Sequence, residues 1–248
     1  MKKSIIFCIF IFVVISNITF SEEEQMSSSF SISISQDPAF GFYPSVAGSF
    51  EISKFINFTF YGTFWTQDIL GGKQGGTNLF TEFGVGLGFS LFQGSLYINP
   101  SIGVCGGNFQ SGGGDPVIAD AISPNLNINY SNDKFSCSMA LIIWKHLREK
   151  SNNKPFIDQF EYIISPSYYL TKNFSLGLYY DHYFYNSIIK NNIRTTNGFM
   201  WIGPLVRFTL KNGMSLSLAS GFDLVDYLEN VDGPQLKEFY KMVAVLPF

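Results

Sequence analysis

The sequence has few of the residues on which metal sites, disulfides and ordinary soluble surfaces depend. Its 248 residues include three cysteines and two histidines, and only 14% are charged, with a formal net charge of −3. Zinc sites of ordinary spacing need more Cys and His ligands than this, and a soluble globular protein usually has about a quarter charged residues. We therefore expect no metal and no cofactor, and a surface unlike that of most soluble proteins.

Long apolar runs are also missing, although apolar residues are abundant. No run reaches the ~18 residues that predict a transmembrane helix, yet 17% of the chain is aromatic, with 27 Phe and 13 Tyr. This combination fits strands whose apolar side chains alternate with small polar ones. Cys105 and Cys137 fall on opposite faces of non-adjacent predicted strands, which disfavours a disulfide between them.

The N-terminus has the arrangement of a secretory signal peptide. Lys2 and Lys3 precede the apolar stretch from Ile5 to Ile15, and a short polar region follows. A single transmembrane anchor is the alternative, but that stretch is shorter than the ~20 residues a spanning helix needs. We expect residues 1–21 to be removed and residues 22–248 to form one exported domain.

The rest of the chain alternates between apolar and polar positions in twelve stretches, separated by connections of two lengths. The predicted strands lie near 28–35, 42–53, 57–67, 78–91, 94–105, 118–130, 134–145, 157–170, 173–185, 197–210, 214–225 and 237–248. Tight turns are predicted at 53–57, 92–95, 131–134, 171–173 and 211–213, where Asn and Gly tolerate positive φ. The other connections are 36–40, which is short, and the longer loops 67–78, 106–117, 148–155, 186–196 and 229–235.

Short turns that alternate with long loops are typical of outer-membrane barrels. The fold class predicted is all-β: an antiparallel up-and-down transmembrane β-barrel of twelve strands, with both termini in the periplasm. Ten or fourteen strands, and a soluble β-sandwich or clam-like barrel, are the alternatives. In hydrocarbon an open sheet edge would leave backbone groups unpaired, so a spanning sheet must close.

The C-terminal strand carries a separate signal. Apolar residues alternate along one face from Tyr240 to Leu246 and end on the terminal Phe248. This pattern resembles the signal by which the barrel-assembly machinery recognises outer-membrane proteins. We therefore expect that machinery, outer-membrane lipid and lipopolysaccharide as partners, the bacterial outer membrane as the location, and no nucleic-acid partner.

Five segments, FTFYGTFWTQD, TEFGVGLGF, INPSIGVCGG, ISPNLNINY and WIGPLVRF, resemble an uncharacterised family of bacterial exported proteins predicted to form outer-membrane β-barrels. The resemblance covers roughly residues 57 to 225 and depends on the placement of Trp, Gly and Pro. It implies the barrel fold. It implies no activity, and no functional residue can be carried over.

The alternation assigns a set of charged and aromatic residues to the barrel interior, because a charge facing lipid near the midplane would cost about 2–4 kcal/mol for Arg or Lys. The predicted pore-lining residues are Glu51, Glu82, Glu161, Asp181, Arg207, Asp223, Lys241, Trp65, Trp144 and Trp201. Carboxylates outnumber cations in this set, so an open lumen would favour small polar or cationic solutes. The alternative is a narrow interior in which Arg207 and Lys241 pair with carboxylates.

Catalysis is not expected. Some twelve-stranded barrels are phospholipases with Ser and His near the external rim, but here only His146 and His182 are available. Ser187 follows His182 on the next predicted loop, outside the spacing that nucleophilic catalysis needs.

His146 begins a basic stretch with Lys145 and Arg148 that we expect to meet lipopolysaccharide phosphates. Two functions remain: a channel for small polar or cationic solutes, or a closed structural or surface-interaction barrel without transport.

Overall fold

The described residues form a single sheet closed into a barrel. In the computed structural model, residues 27–65, 80–107, 110–111, 117–148, 155–189, 192–225 and 237–248 are described. The strands are β1 Ser28–Asp37, β2 Gly41–Ser53, β3 Ile56–Trp65, β4 Phe80–Leu91, β5 Leu96–Gly107, β6 Val117–Ser131, β7 Phe135–His146, β8 Phe156–Thr171, β9 Phe174–Ile189, β10 Asn192–Thr209, β11 Ser215–Asp223 and β12 Lys237–Pro247.

Each strand pairs with its sequence neighbours in antiparallel register, and β1 closes the barrel against β12. The predicted barrel of twelve strands is confirmed, with most strand ends within two residues of the prediction. The terminal Phe248 continues the closing seam: its N–H donates to Phe30 O at 2.8 Å, and the two rings lie 6.0 Å apart. The predicted signal segment 1–21 and the predicted loops 67–78 and 229–235 lie outside the described residues, as do most of loops 106–117 and 148–155.

The two faces of the sheet differ as the alternation predicts. On β4 the outward side chains Phe83, Val85 and Leu87 are exposed, whereas the inward Glu82 is buried. A broad exposed apolar surface of this kind meets lipid rather than water. Among the residues that the structure describes, no helix is long and apolar enough to cross a lipid bilayer.

The tight turns form where they are predicted, but not always by the predicted chemistry. Asn132 acts through its side chain, since its Oδ1 accepts from Lys134 N at 2.9 Å and from Phe135 N at 2.8 Å. This is an Asx turn. Positive φ occurs as predicted at Gly213, where φ is +84°, and also in the 3₁₀ turn Phe92–Gly94.

The predicted loop 186–196 is wrong. Strand β9 continues to Ile189 and β10 begins at Asn192, so most of this segment is a paired hairpin. Polar residues form cross-strand pairs in this hairpin. Thr195 Oγ1, for example, donates to Asn186 Oδ1 at 2.8 Å on the neighbouring strand. Apolar alternation marks only the lipid-facing part of a strand, so it does not detect a strand that extends beyond the bilayer.

Four of the prolines inside strands interrupt the sheet on one side only. Pro204 pairs with Leu178 on β9, whereas the pairing of β10 with β11 is interrupted between Ile202 and Leu205. Equivalent one-sided interruptions lie beside Pro100, Pro124 and Pro166. Proline cannot donate to the ladder, and the sequence left open whether these residues mark bulges. The register shifts of the described ladders lie elsewhere.

At the interruption beside Pro204, glycines allow β10 and β11 to approach each other closely. This close approach gives a prediction. A Cβ on Gly203 would collide with the backbone carbonyl of Ser220 on β11. We expect Gly203→Val to lower the free energy of unfolding by about 2–3 kcal/mol, because the strands would have to separate. Ser215→Val, on an inward position that borders open space, is the control. Urea unfolding of the refolded barrel measures both; equal stability of the two variants would contradict the close approach.

Candidate functional site

The structure places all ten predicted pore-lining residues on the inward face. Glu82, Glu161, Asp181, Trp144 and Trp201 are almost completely buried. Arg207, Asp223 and Glu51 are partly exposed, and Glu51 lies beside the β2–β3 turn at the short-turn end. Whether these residues line a path for solute remains a prediction.

An ion cluster crosses the lumen around Lys241 on β12. Its Nζ lies 3.3 Å from Asp37 Oδ2 on β1 and 3.6 Å from Asp181 Oδ2 on β9, and both carboxylates are fully buried. The rings of Tyr43 and Tyr179 lie within 6 Å of the same ammonium group. Their hydroxyls donate to Asp37 at 2.9 Å and to Asp181 at 2.6 Å. One cation thus connects β12 and its neighbour β1 with β9, which lies three strands from β12 around the barrel.

A second set of side chains, which we call the aromatic plug, fills the lumen next to this cluster. Its members come from the β1–β2 turn and from strands β2, β3, β7, β9, β10 and β12: Phe40, Tyr43, Trp65, Trp144, Tyr183, Phe199, Trp201 and Phe239. Trp201 stacks on Phe239 with ring centroids 5.0 Å apart and on Phe199 at 4.0 Å. Phe40 contacts Trp65 at 5.0 Å and Tyr183 at 5.9 Å, which joins the two sides.

Hydrogen bonds hold the other side of the aromatic plug. Glu82 Oε2 accepts from Trp144 Nε1 at 2.7 Å, and its Oε1 accepts from Tyr61 at 2.6 Å and from Asn125 at 3.0 Å. These donors come from β3, β6 and β7, so one buried carboxylate connects strands across the interior. On the opposite wall, Asp223 accepts from Trp201 Nε1 at 3.3 Å. Trp144 and Trp201 are therefore bound to predicted carboxylates, and with the rest of the aromatic plug they form the closure of the interior.

Below this closure the lumen opens into a cavity of about 390 Å³ at the short-turn end, which we call the vestibule. Lys241 and Tyr179 lie at its inner end, and Thr209 and Gly213 lie beside the β10–β11 turn. Arg207 lines its wall and does not reach the ion cluster: its Nε donates to Ser217 Oγ at 3.1 Å. Lys241 therefore pairs with carboxylates, as the alternative of a narrow interior predicts. Within the described residues, Arg207 does not.

The basic stretch at the end of β7 contacts carboxylates. Asp158 binds Lys145 Nζ at 3.2 Å and His146 Nδ1 at 2.5 Å. Arg148 Nε lies 2.9 Å from the buried Asp120, which also accepts from the backbone N–H of Gln110 at 2.9 Å. These pairs fasten the external ends of β6, β7 and β8. The contact of this stretch with lipopolysaccharide stays a prediction. The carboxylates of Asp158 and Asp120 offset part of the positive charge that would attract the phosphates.

His182 lies on the outer face as predicted, but in the middle of β9 and not near its end, because this strand continues to Ile189. Its Nδ1 hydrogen-bonds with Tyr162 OH at 2.7 Å and its Nε2 with Asn197 Oδ1 at 2.9 Å. Both ring nitrogens are thus engaged by residues on the neighbouring strands β8 and β10. Within the described part of the chain, no group of three or more His, Cys, Asp or Glu is arranged to hold a metal ion.

Several residues of the closure were not predicted. Tyr43, Phe199 and Phe239 share the inward alternation with predicted residues, so the signal was present in the sequence. Asp37 belongs to the short connection 36–40, where a polar side chain is expected to face water. Its Oδ1 instead accepts from Phe40 N at 2.8 Å and shapes a turn that folds into the lumen.

Solved structures similar to this chain are outer-membrane β-barrels. The COG4313 outer membrane channel from Pseudomonas putida F1 is 11% identical to this chain, covers 93% of it and 100% of its own length, and gives a TM-score of 0.55. The KdgM porin is 10% identical, with coverages of 88% and 99% and a TM-score of 0.48. No curated protein matches the chain. The likeness to the first of these structures shows that the barrel has the fold of an outer-membrane channel.

The expected resemblance to an uncharacterised family is also confirmed. A model described as "Family of unknown function (DUF6733)" matches residues 1–248, the whole of the sequence. The chain is therefore a member of the DUF6733 family of unknown function.

Proposed function

We propose that this protein is a channel of the bacterial outer membrane for small polar solutes, and that its own side chains close it in the conformation described here. The observation that supports the proposal most is the division of the lumen into an open vestibule and a segment in which aromatic and charged side chains pack together. Side chains can change rotamer without unfolding the barrel, and hydrophobic constrictions are a known way to gate a pore.

The charges of the closed segment support a preference for cations. Its buried acidic residues are Asp37, Glu82, Glu161 and Asp181, and Lys241 forms ion pairs with two of them, Asp37 and Asp181. Any opening of the aromatic plug would place solutes among these carboxylates, and a field of that sign attracts cations. Arg207 lies below this segment, in the vestibule.

Single-channel recording of the refolded protein in planar bilayers tests the proposal. We expect brief, infrequent openings, and a reversal potential in a KCl gradient that shows a preference for K⁺ over Cl⁻. A heat-modifiable, correctly folded barrel that never conducts would overturn the channel. Openings that prefer Cl⁻ would overturn the cation preference alone.

A closed structural or surface-interaction barrel is the second candidate, favoured by the depth of burial of the closure. Trp144 is 1% exposed and Asp181 is 0% exposed. If the wild-type protein never conducts, while protease added to intact cells cuts the external segments 106–117 and 186–196, this second candidate is the better description.

We further propose that the protein is not an enzyme and reaches the outer membrane through a cleaved N-terminal signal, residues 1–21, with the β12 strand recognised by the barrel-assembly machinery. The engagement of both His182 nitrogens by Tyr162 and Asn197 supports the first part. A phospholipid hydrolysis assay compares the parent with His182→Ala. Fatty-acid release by the parent that the variant loses would contradict the non-enzymatic proposal.

A further inference from the structure

The vestibule has the dimensions of a small-molecule site. Its volume of about 390 Å³ falls within the range of roughly 300–1,000 Å³ that is common for ligand pockets. It opens at the short-turn end, where Thr209 and Gly213 form part of its edge, and it ends at Tyr179 and Lys241. A molecule that enters from this end meets a closed wall, and therefore stays in the vestibule unless the aromatic plug moves.

The charge of this cavity is opposite to that of the closed segment. Among its described lining residues are Arg207 and Lys241 and no carboxylate. Lys241 is already bound to Asp37 and Asp181. Arg207 is different: within the described residues its guanidinium has a hydrogen bond to Ser217 Oγ and no ion pair with a carboxylate.

The bond to Ser217 orients the guanidinium, and within the described part of the chain its two terminal nitrogens have no hydrogen-bond partner. The guanidinium presents a planar fork of N–H donors that matches a carboxylate with two parallel hydrogen bonds. Because Nε is held by a hydroxyl on the neighbouring strand β11, the orientation of the group is set before any ligand arrives. Such preorganisation lowers the entropic cost of binding.

The lining is about equally polar and apolar, and its remaining polar part consists mainly of hydroxyl groups. Ser138 and Ser215 each present a hydroxyl that can both donate and accept, whereas Ser165 Oγ donates to Ser138 O at 3.4 Å and can still accept. Val243 and Val245 provide a short apolar strip on the β12 side. A ligand with several hydroxyls and one negative group would find partners for both, and a purely apolar ligand would leave the hydroxyls unpaired.

We propose that the vestibule is a binding site for a small hydroxylated carboxylate, with the carboxylate on Arg207 and the hydroxyls of the ligand on the serine-lined wall. The buried carboxylates behind Lys241 repel the same ligand, so it binds from the short-turn side and does not cross. The site does not depend on conduction, since the cavity is open while the lumen is closed.

Equilibrium binding to the full, refolded chain in detergent micelles tests this inference. The probes are gluconate, sorbitol and glucamine, which share a six-carbon hydroxylated chain and carry negative, zero and positive charge. By titration calorimetry we expect gluconate to bind, sorbitol to bind at least about tenfold more weakly, and glucamine not to bind, since the charged hydrogen bonds to Arg207 would be lost.

Variants then assign the site. Arg207→Gln should weaken gluconate binding about tenfold or more, and Arg207→Lys should retain part of it, because charge remains while the planar fork is lost. Lys211→Gln removes an exposed cation near the same end but outside the cavity, and should leave binding unchanged. Gluconate binding that survives Arg207→Gln, falls equally in Lys211→Gln, or is matched by glucamine would overturn the proposal.

The two proposals can fail separately. Loss of channel openings with intact, Arg207-dependent gluconate binding would remove the channel and keep the site. Channel openings in a protein that shows no selective binding of gluconate would keep the channel and remove the site. Heat-modifiability on gels confirms that each variant has folded, so a loss of binding is not confused with a loss of the barrel.

Discussion

Replacing Lys241 with methionine is expected to lower the free energy of unfolding by about 3–5 kcal/mol, the range for removing one partner from a buried ion pair. Asp37 and Asp181 are fully buried and both bind this one ammonium group. Methionine keeps much of the side-chain volume but leaves these charges uncompensated. Urea unfolding of the barrel refolded into lipid vesicles measures the change.

Two further variants show that the effect comes from charge. Lys211→Met removes a cation from an exposed turn and should change stability by less than about 0.5 kcal/mol. The double variant Lys241→Met with Asp181→Asn should recover part of the loss, because one of the uncompensated carboxylates is removed with its partner. A double variant less stable than Lys241→Met alone would contradict the ion cluster as described.

The second large effect is expected from opening the aromatic plug. Replacing both Trp201 and Phe239 with alanine removes two stacked rings whose centroids are 5.0 Å apart and leaves space connected to the vestibule. We expect the time-averaged current across planar bilayers to rise about tenfold or more, since a dry constriction becomes wet. Stability should also fall, by about 3–5 kcal/mol for each ring, unless water fills the space.

The outer surface offers a matched control for this experiment. Phe160 and Phe184 form a stacked pair with the same centroid separation of 5.0 Å, but on outward positions of β8 and β9. Alanine at both positions removes the same kind of contact from the lipid side and should leave the current unchanged. An equal rise in both double variants would mean that the current reports damage to the barrel rather than opening of the lumen.

Strand number, order and facing could be predicted because they depend on local pattern. A residue such as Glu82 must face inward wherever its strand lies in lipid, and the same alternation places Trp144, Trp201 and Lys241 on the inner wall. Strand ends beyond the bilayer could not be predicted in this way, because both faces of the sheet meet water there and no apolar alternation is required. The hairpin from Asn186 to Thr196 is an example.

The closure depended on information that alternation does not contain. Which inward residues meet across the lumen is set by barrel diameter, stagger and side-chain size, so the contact of Lys241 with Asp181 on a distant strand has no sequence signal. The entry of the turn with Asp37 and Phe40 into the interior is a second case, since turn residues usually face solvent. From the sequence alone, open and closed interiors were both possible, and the packing described above favours the closed one.

The native cysteines provide the most direct test of the central claim, that side chains close the lumen above the vestibule. Cys105 faces inward and is 0% exposed, whereas Cys137 faces outward and can be replaced by serine. In that background, beginning after the predicted signal segment, a membrane-impermeant maleimide should label a Ser217→Cys variant in the vestibule rapidly and leave Cys105 unlabelled until the barrel is unfolded. Labelling of Cys105 in the folded protein as fast as that of Ser217→Cys would contradict the closed lumen.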